Sequence, residues 1–389
     1  MSDLLFSLAC DETYFFRGGT PFTAGEDSFL PSVFPPNPSV MQGVVRTAIM
    51  KAHGIDFNEY RKGNCSVCGC TVSECKVLSV TGSASTHDDM RLDVTGPFLT
   101  YEVPGGSKRR LFRAPADLVR TDEGIGALRP SDTPIDTDMG RVCLPLSPKG
   151  CKPLERSWLD EIGLLRYLKG QSPTPEQVHA EKDLLGKEPR MGIARKRDTR
   201  AVQRGMLYAV EHVRLKQGYG LGARVRNCPG VNLPEMVKLG GEGRLSRLVT
   251  EPWKEISSYG IAEAIDSGPG LFGQHGFKLV FLSPVRFEGG SWLPEGFKER
   301  ARDGVRTWEG RIRGIECSLV SMCADRPVRL GGWSMATSRQ KPRHSYIPAG
   351  SVLYFVTERP GADVVNELFD VKLGLDTSIG LGHAVVGRW

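Results

Sequence analysis

The sequence predicts a chain of two domains with sheet-rich α+β folds. Its 389 residues are too many for one ordinary domain and fit two domains of roughly 200 residues each. It contains 46 glycines and 26 prolines, which indicates many turns and irregular loops between short elements. Hydrophobic residues make up 40% of the chain, enough to form packed cores, which argues against global disorder.

The first elements are predicted to be a strand, a loop and a helix. Residues 4–10 (LLFSLAC) are a short apolar stretch typical of a buried strand. Residues 14–38 are rich in glycine and proline and are predicted to form a loop. Ser39, three residues before Gln42, makes a capping-box pattern ahead of apolar residues at helical spacing, and Gly54 is placed to end that helix.

The loop before this helix is a candidate phosphate site. Its glycines and prolines between residues 18 and 38 would bring backbone N–H groups and an arginine close to the helix N-terminus, where the helix dipole favours anions. Arg46 and Lys51 lie off the apolar face of the helix, so we expect them in solvent or against a ligand. A proline-rich surface loop without a ligand is the alternative.

Strands and helices are predicted along the rest of the chain. Strands are expected at residues 76–82, 90–103, 277–287, 315–323 and 350–358. Helices are expected at residues 157–170 and 174–185, the second opening with the capping-box sequence TPEQ. Residues 188–216 combine two apolar stretches with a polar, basic centre, which predicts two strands joined by a long arm. A second sheet-bearing half is predicted to begin near residue 216.

Four cysteines lie within eleven residues in a C-x2-C-x-C-x4-C pattern. They are Cys65, Cys68, Cys70 and Cys75. Thiolates on short turns can converge on a tetrahedral zinc ion, so we expect a structural zinc that staples this loop, with His53 and His87 as alternative ligands. Reduced thiols without a ligand and an iron–sulfur or redox role are the other interpretations.

Charge, apolar runs and cysteine content also indicate the cellular compartment of the chain and the kind of partner it can bind. The net charge of +6 is moderately basic and compatible with an acidic partner. No apolar run is long enough to predict a membrane span, and the start MSDLLFSLACDE lacks the basic region of a signal peptide. We therefore expect a cytoplasmic protein whose ten cysteines are reduced or metal-bound.

A basic arm with few acidic residues stands out in the middle of the chain. Its cations are Arg190, Arg195, Lys196, Arg197, Arg200, Arg204, Arg214 and Lys216. Met191, Met206, Leu207 and Tyr208 are interleaved with them. A basic hairpin with apolar residues can hold a nucleic-acid backbone and wedge between bases, and a solvated surface hairpin is the alternative.

Motifs for catalysis and for organic cofactors are missing. The sequence contains no nucleophile elbow, no H-E-x-x-H, no kinase motif set, no P-loop and no credible dinucleotide fingerprint. The seven histidines are scattered, and the glycine-rich stretches LGGEGR, LGGWS and residues 372–389 are weak evidence for phosphate binding. The sequence therefore predicts neither an active site nor an organic cofactor.

Several blocks together resemble one family. The opening YFFRGGTPFTAGEDSFLPSVFPPNPSVMQGVVRTAI resembles the start of the RAMP-superfamily subunit, the third Cmr subunit, that holds the crRNA 5′ handle in the Cmr complex. That complex is the type III-B CRISPR RNA-guided antiviral effector. Further blocks match in order at residues 92–99, 112–119, 188–215, 277–294, 329–343 and 347–355, together with KLGGEGRLSRLV and the closing GLGHAVVGRW.

The resemblance implies two ferredoxin-like (RRM-like) domains with large insertions and a β-hairpin thumb. The first would span residues 1–215, with the cysteine-rich insertion at 65–75 and the basic hairpin arm at 188–208. The second would span residues 216–389 and end in a glycine-rich loop. The family role is non-catalytic: it binds the crRNA 5′ handle and docks on the large polymerase/cyclase-type subunit and a backbone RAMP subunit, meeting target RNA only indirectly.

The resemblance also implies RNA contacts at particular positions. Arg17 and Arg46 match positions of handle contact, and the arm corresponds to the thumb that separates handle from guide. The final glycine loop, with Gly380, Gly382 and Gly387, matches the superfamily's glycine-rich loop, where backbone can approach RNA closely. The cysteine insertion departs from the family pattern, so zinc would serve stability or a partner contact. Other interpretations are a RAMP-type crRNA-processing endoribonuclease using His53, the equivalent subunit of a type III-A complex, and a zinc-dependent interaction protein without RNA.

Overall fold

The chain forms two compact units, each built from separate stretches of sequence. The computed structural model describes residues 2–18, 29–84, 86, 89–103, 105–196, 198–334 and 338–389, with backbone only at residues 2, 194 and 203–206. The first unit draws on residues 1–108, 182–253 and 329–344, and the second on residues 109–181, 254–328 and 345–389. The predicted boundary between residues 215 and 216 stays a prediction.

The structure is mixed α+β, with mostly antiparallel sheets and few helices, as predicted. Its strands are β1 (Ser2–Ala9), β2 (Phe29–Leu30), β3 (Asp93–Glu102), β4 (Lys108–Arg113), β5 (Leu118–Thr121), β6 (Gly124–Ala127), β7 (Ile135–Thr137), β8 (Gly140–Val142), β9 (Lys152–Pro153), β10 (Ser157–Asp160), β11 (Val178–Ala180), β12 (Leu185–Arg195), β13 (Val202–Leu215), β14 (Tyr219–Cys228), β15 (Met236–Lys238), β16 (Leu245–Pro252), β17 (His275–Phe281), β18 (Lys298–Arg302), β19 (Val305–Ile312), β20 (Ile315–Cys323), β21 (Val328–Ser334), β22 (Arg339–Tyr346), β23 (Val352–Thr357), β24 (Val371–Lys372) and β25 (His383–Arg388). Its α-helices are α1 (Pro38–Ala52), α2 (Phe57–Arg61), α3 (Leu78–Thr81), α4 (Glu161–Leu168), α5 (Glu181–Leu184), α6 (Ile261–Asp266) and α7 (Gly361–Leu368).

The first unit is built on an antiparallel sheet in the order β3–β14–β1–β16–β15. The apolar stretch predicted as the first strand forms β1, and its Phe6 and Leu8 are buried. Helix α1 packs against β3 with the predicted apolar face, of which Met41, Val45 and Ile49 are fully buried. Burying each such side chain contributes about 1.5–3 kcal/mol, so this face holds the helix on the sheet.

The N-terminus of α1 differs from the capping-box prediction. Asn37, not Ser39, is the N-cap: its side chain accepts a hydrogen bond from the Ser39 backbone N–H at 3.1 Å. Pro38 occupies the first helical position, where its missing N–H is not needed. The C-terminal prediction is confirmed, because Gly54 follows the helix with a φ of 68°.

The second unit has an antiparallel sheet in the order β18–β19–β20–β23–β17–β25–β24. Helices α6 and α7 pack against each other and against β25. Strands β4, β10 and β11 also pair within this unit, as do β5 with β6 and β9, and β7 with β8. The predictions at residues 315–323 and 350–358 are confirmed as β20 and β23, and the strand predicted at residues 277–287 is present as β17 but ends at Phe281.

Three further predicted elements are wrong in type or extent. Residues 76–82 contain the short helix α3 and not a strand. Within 157–170, strand β10 precedes helix α4. Residues 174–185 do not form one helix: the TPEQ capping box is present, but the 3-10 turn it starts gives way to β11, which pairs with β10. Sheet pairing overrode the local helix preference there.

Within the described part of the chain, no helix combines the length and apolar character that crossing a membrane would require.

Candidate nucleic-acid interface and cysteine cluster

The β12–β13 hairpin contains the basic arm predicted from the sequence. Its strands pair from their base, at Leu185 and Leu215, to their tip, at Arg195 and Val202. Towards the base, β13 also pairs with β2 and with Tyr14. Among the described residues, the outer half of the hairpin pairs only with itself, which is the geometry of an arm.

The cations of the arm fall into two groups. Near the base, Arg190 forms an ion pair with Glu188, with Nη2 and Oε2 3.3 Å apart. At the tip, Arg195, Lys196 and Arg200 are exposed and make no ion pair within the described structure. Two predicted RNA-binding residues have side chains outside the described part: Arg197 and Arg204. The exposed tip therefore carries positive charge that internal acids do not neutralise.

One face of the arm is apolar and exposed. Ile193 lies opposite Leu207 and Met191 opposite Ala209, so strand alternation puts these side chains on one face. Met191, Ile193 and Leu207 remain 67%, 43% and 55% exposed. Phe29 of β2 pairs with Ala209 and is 51% exposed, which extends the same face. An apolar face beside a basic tip suits contact with the bases and phosphates of a nucleic acid.

Arg17 follows a buried aromatic segment. Tyr14 and Phe16 stack with ring centroids 5.3 Å apart, and the Phe16 backbone N–H donates to the Ser32 hydroxyl at 2.9 Å. These contacts fix the turn and leave Arg17 exposed, with no ion pair among the described residues. Residues 19–28 of the predicted phosphate loop lie outside the described residues.

Arg46 is buried, which corrects the expectation that it lies off the packed surface. Its side chain is 7% exposed, whereas Lys51 is exposed as predicted. The guanidinium donates to the Tyr60 hydroxyl and to the carbonyl oxygens of Gly82, at 3.3 Å, and Ser83, at 2.5 Å. Sequence spacing alone missed these partners, because each lies at least 14 residues away. Arg46 thus joins α1 to the segment after α3, and its contact with RNA stays a prediction.

The backbone conformation and packing near the C-terminus favour glycine at two of the predicted RNA-binding positions. Gly380 and Gly382 are buried and have φ angles of 92° and 74°, which favour glycine. A Cβ on Gly382 would come within 1.9 Å of the Leu373 carbonyl oxygen. Close backbone packing therefore accounts for Gly382, and RNA contact by these two residues stays a prediction.

The cysteine-rich insertion brings three thiols together. The sulfurs of Cys65, Cys68 and Cys75 all lie within 4.8 Å of one another. Cys65 and Cys68 lie in one turn, which is closed by the hydrogen bond from the Gly69 N–H to the Cys65 carbonyl at 2.9 Å. Gly69 has a φ of 72°. The Cys70 thiol instead donates to the Cys68 carbonyl at 3.6 Å and is not part of the group. Three of the four predicted ligands therefore converge.

The surroundings favour the thiolate form at one of the three cysteines: the pKa of Cys65 is lowered, whereas burial raises the pKa of Cys75 and the Cys65 thiol raises that of Cys68. Burial would raise the pKa of the Cys65 thiol, but the N–H groups of Cys68 and Val67 and the neighbouring thiols outweigh it and lower that pKa. Cys65 and Cys75 belong to a small core together with Met50, Ile55, Tyr60 and Leu78, whereas Cys68 is exposed. Sulfurs bound to tetrahedral zinc at about 2.3 Å stand about 3.8 Å apart, a spacing the cluster can adopt. The three cysteines could therefore hold a metal.

The sequence profile of the CRISPR-associated protein family Cas_Cmr3 matches residues 6–389. The chain belongs to the Cas_Cmr3 family. Cas_Cmr3 proteins are structural subunits of the Cmr complex, so the chain is a type III CRISPR effector subunit and the resemblance found in the sequence is confirmed.

Solved structures of low similarity accompany this Cas_Cmr3 match. A chain of a cryo-EM structure of type III-B Cmr-beta bound to cognate target RNA and AMPPnP shares 13% identity, with 91% of this chain and 86% of that chain covered and a TM-score of 0.43. A chain of the Csm1–Csm4 cassette in complex with pppApA shares 10% identity, with 99% and 94% covered and a TM-score of 0.30. No curated protein matches the chain.

Proposed function

We propose that this chain is the non-catalytic subunit that binds the crRNA 5′ handle in a type III-B CRISPR effector. One observation carries the proposal: a chain of the Cas_Cmr3 family presents a hairpin with a cationic tip and an exposed apolar face. Proteins that bind RNA sequence-specifically favour single-stranded segments with accessible bases, and a crRNA handle is such a segment. The cationic tip and the apolar face together match the phosphates and the bases of that segment.

Both units support a ferredoxin-like fold, the scaffold we propose for this function. In the first unit, β1, β3, β14 and β16 lie in the spatial order β16–β1–β14–β3, with α1 between the first two in sequence. In the second, β17, β20, β23 and β25 lie in the order β25–β17–β23–β20, with α7 before the last. The fourth–first–third–second order is that of a β-α-β-β-α-β unit, here with one of its two helices replaced in each copy.

The arm supplies the chemistry for RNA. Arg195, Lys196 and Arg200 make no ion pair among the described residues and can pair with phosphates. Each such pair releases counterions from the RNA, which favours binding. Met191 and Leu207 can contact a base or insert between two bases. Arg17 adds one exposed cation at the turn before the phosphate loop. The arm would thereby hold the backbone and mark where handle ends and guide begins.

The partners follow from the family role. We propose that the chain docks on the large polymerase/cyclase-type subunit and on a backbone RAMP subunit, and that it meets target RNA only through the complex. Binding assays test the RNA part directly. Purified chain is expected to bind a repeat-derived 5′-handle oligoribonucleotide more tightly than a scrambled one and to leave a full repeat RNA uncut. Cleavage of the repeat would instead favour the processing endoribonuclease.

We also propose a structural zinc held by Cys65, Cys68 and Cys75, with Cys70 as the nearest candidate for a fourth ligand. The Cys70 side chain would have to rotate away from the Cys68 carbonyl. Bound zinc would stabilise the fold of the insertion. Tyr60 packs in the same core and accepts a hydrogen bond from Arg46, so the zinc would also help to fix the position of Arg46. No step of RNA recognition is assigned to the metal.

Removing two of these thiols tests the zinc proposal. The C65S/C68S variant is expected to lose the metal, from roughly one zinc per chain to background, and to unfold at a lower temperature, because structural zinc adds to folding energy. Metal content by mass spectrometry and a thermal melt measure both effects. C151S removes a partly exposed thiol outside the cluster and is the matched control. Undiminished zinc in the double variant would contradict the assignment.

A further inference from the structure

The β21–β22 hairpin carries a second concentration of positive charge. Residues 329–345 include four arginines and lysines and no acidic residue. Residues 329–344 belong to the first compact unit, although β20 and β23, which precede and follow them in sequence, belong to the second. The proposed function of the arm does not use this block.

One face of this hairpin gathers its cations around an exposed tryptophan. Alternation along β22 puts Arg339, Lys341 and Arg343 on one face. The Arg343 side chain lies over Gly331, where an added Cβ would meet its Cγ at 2.6 Å. Alternation along β21 places Trp333 on the same face as Gly331, and Trp333 is 58% exposed. The shared face thus combines three cations and an indole.

The hairpin is fixed at the start of α1. The Asn37 side chain donates from Nδ2 to the Gly331 carbonyl at 3.0 Å while its Oδ1 caps the helix. Burial, together with the positive charge of Arg46, lowers the pKa of Lys341. Lys341 of the cationic face therefore lies close enough to Arg46 of α1 for the two charges to repel each other. A bound anion would reduce the positive potential there.

We propose that this face binds single-stranded RNA, with one base stacked on Trp333 and the adjacent phosphates paired with Arg339 and Arg343. The inference rests on the proposed RNA-binding function and assigns it a second contact site. Arg339 and Arg343 are exposed and make no ion pair among the described residues, so they are available to phosphates. Aromatic stacking is tolerant of base identity, and arginine beside an aromatic ring is the usual composition of such a surface. An acidic protein partner would use the cations but would not require the flat ring.

Replacing the indole tests the site. W333L is expected to bind the handle oligoribonucleotide about tenfold more weakly, since one base stack contributes roughly 1–3 kcal/mol. W333Y keeps an aromatic face and should restore affinity to within about twofold. R343A should reduce the salt dependence by about 0.7 units for one lost phosphate contact on a single strand. Y259L removes another exposed aromatic residue, in the second unit, and is the control.

The outcomes separate this inference from the proposed function. If the wild-type chain binds the oligoribonucleotide and W333L binds it with the same affinity, the Trp333 site is overturned and handle binding stands. A W333L variant that keeps its RNA affinity but loses the large subunit identifies a protein contact and also overturns the RNA assignment. If the wild-type chain does not bind the oligoribonucleotide at all, the proposed function fails first. Thermal melts of W333L and W333Y that match the wild type exclude misfolding as the cause of any loss.

Discussion

Replacing Arg195, Lys196 and Arg200 with alanine is expected to weaken RNA binding by about 100-fold at about 0.15 M salt. Each exposed cation that pairs with a phosphate contributes roughly 1 kcal/mol or more, and a factor of ten in affinity corresponds to about 1.4 kcal/mol. The slope of log affinity against log salt should flatten by about two units, since each contact with a single strand contributes about 0.7. Because phosphates carry no sequence, the loss should be similar for handle and scrambled RNA.

A charge-matched control separates the arm from net charge. Lys298, Arg300 and Arg311 are exposed cations of the second unit, so their triple alanine variant removes the same formal charge. This control should keep most of the affinity and the full salt slope. Equal losses in the two triple variants, or an unchanged slope in the arm variant, would show that the arm does not contact phosphate.

Removing the Asp117 carboxylate is expected to destabilise the second unit by about 3–5 kcal/mol, the usual cost of leaving a buried charge unpaired. Asp117 is fully buried and accepts hydrogen bonds from the hydroxyls of Tyr167, at 2.7 Å, and Tyr354, at 2.8 Å. The Lys278 ammonium lies 3.9 Å from the carboxylate and 3.3 Å from the centre of the Tyr167 ring. D117A should therefore lower the thermal midpoint strongly.

A double variant shows whether the cost comes from the unpaired ammonium. Burial lowers the pKa of Lys278 to about 8, and the charge of Asp117 opposes this shift, so the loss of Asp117 removes the group that stabilises the buried ammonium. D117L/K278M replaces both charges with apolar groups and should recover most of the lost stability. Urea unfolding of the three proteins gives the comparison. A D117A variant as stable as the wild type would show that the pair is not structural.

The Asp117 cluster also explains why three sequence blocks belong together. Asp117, Lys278 and Tyr354 come from three of the stretches that resemble the family, and they meet in one buried network. Length and apolar periodicity were enough to predict β1, α1, β20 and the β12–β13 hairpin. Those elements are specified by residues close in sequence. The contact between the three blocks depends on pairing of residues far apart in the chain, which the pattern of one sequence does not predict.

The same distinction applies to the candidate sites. The density of cysteines indicates a metal site, but only the structure shows that the Cys70 thiol donates to the Cys68 carbonyl and stays outside the group. Helical spacing placed Arg46 outside the apolar face, and only the fold shows that Tyr60 and the Gly82 and Ser83 carbonyls enclose it. The sequence predicts a loop at Phe29, but in the structure Phe29 joins the apolar face of the arm through β2 pairing, for which the sequence holds no pattern. Exposed cations were predictable, and buried partners were not.

The most direct test of handle binding is to purify the tagged chain from its native cells and sequence the RNA that accompanies it. We expect RNAs that share one repeat-derived 5′ end and differ beyond it, and a sharp loss of these RNAs from the triple arm variant. RNAs with heterogeneous 5′ ends, or partner subunits recovered without RNA, would contradict handle binding.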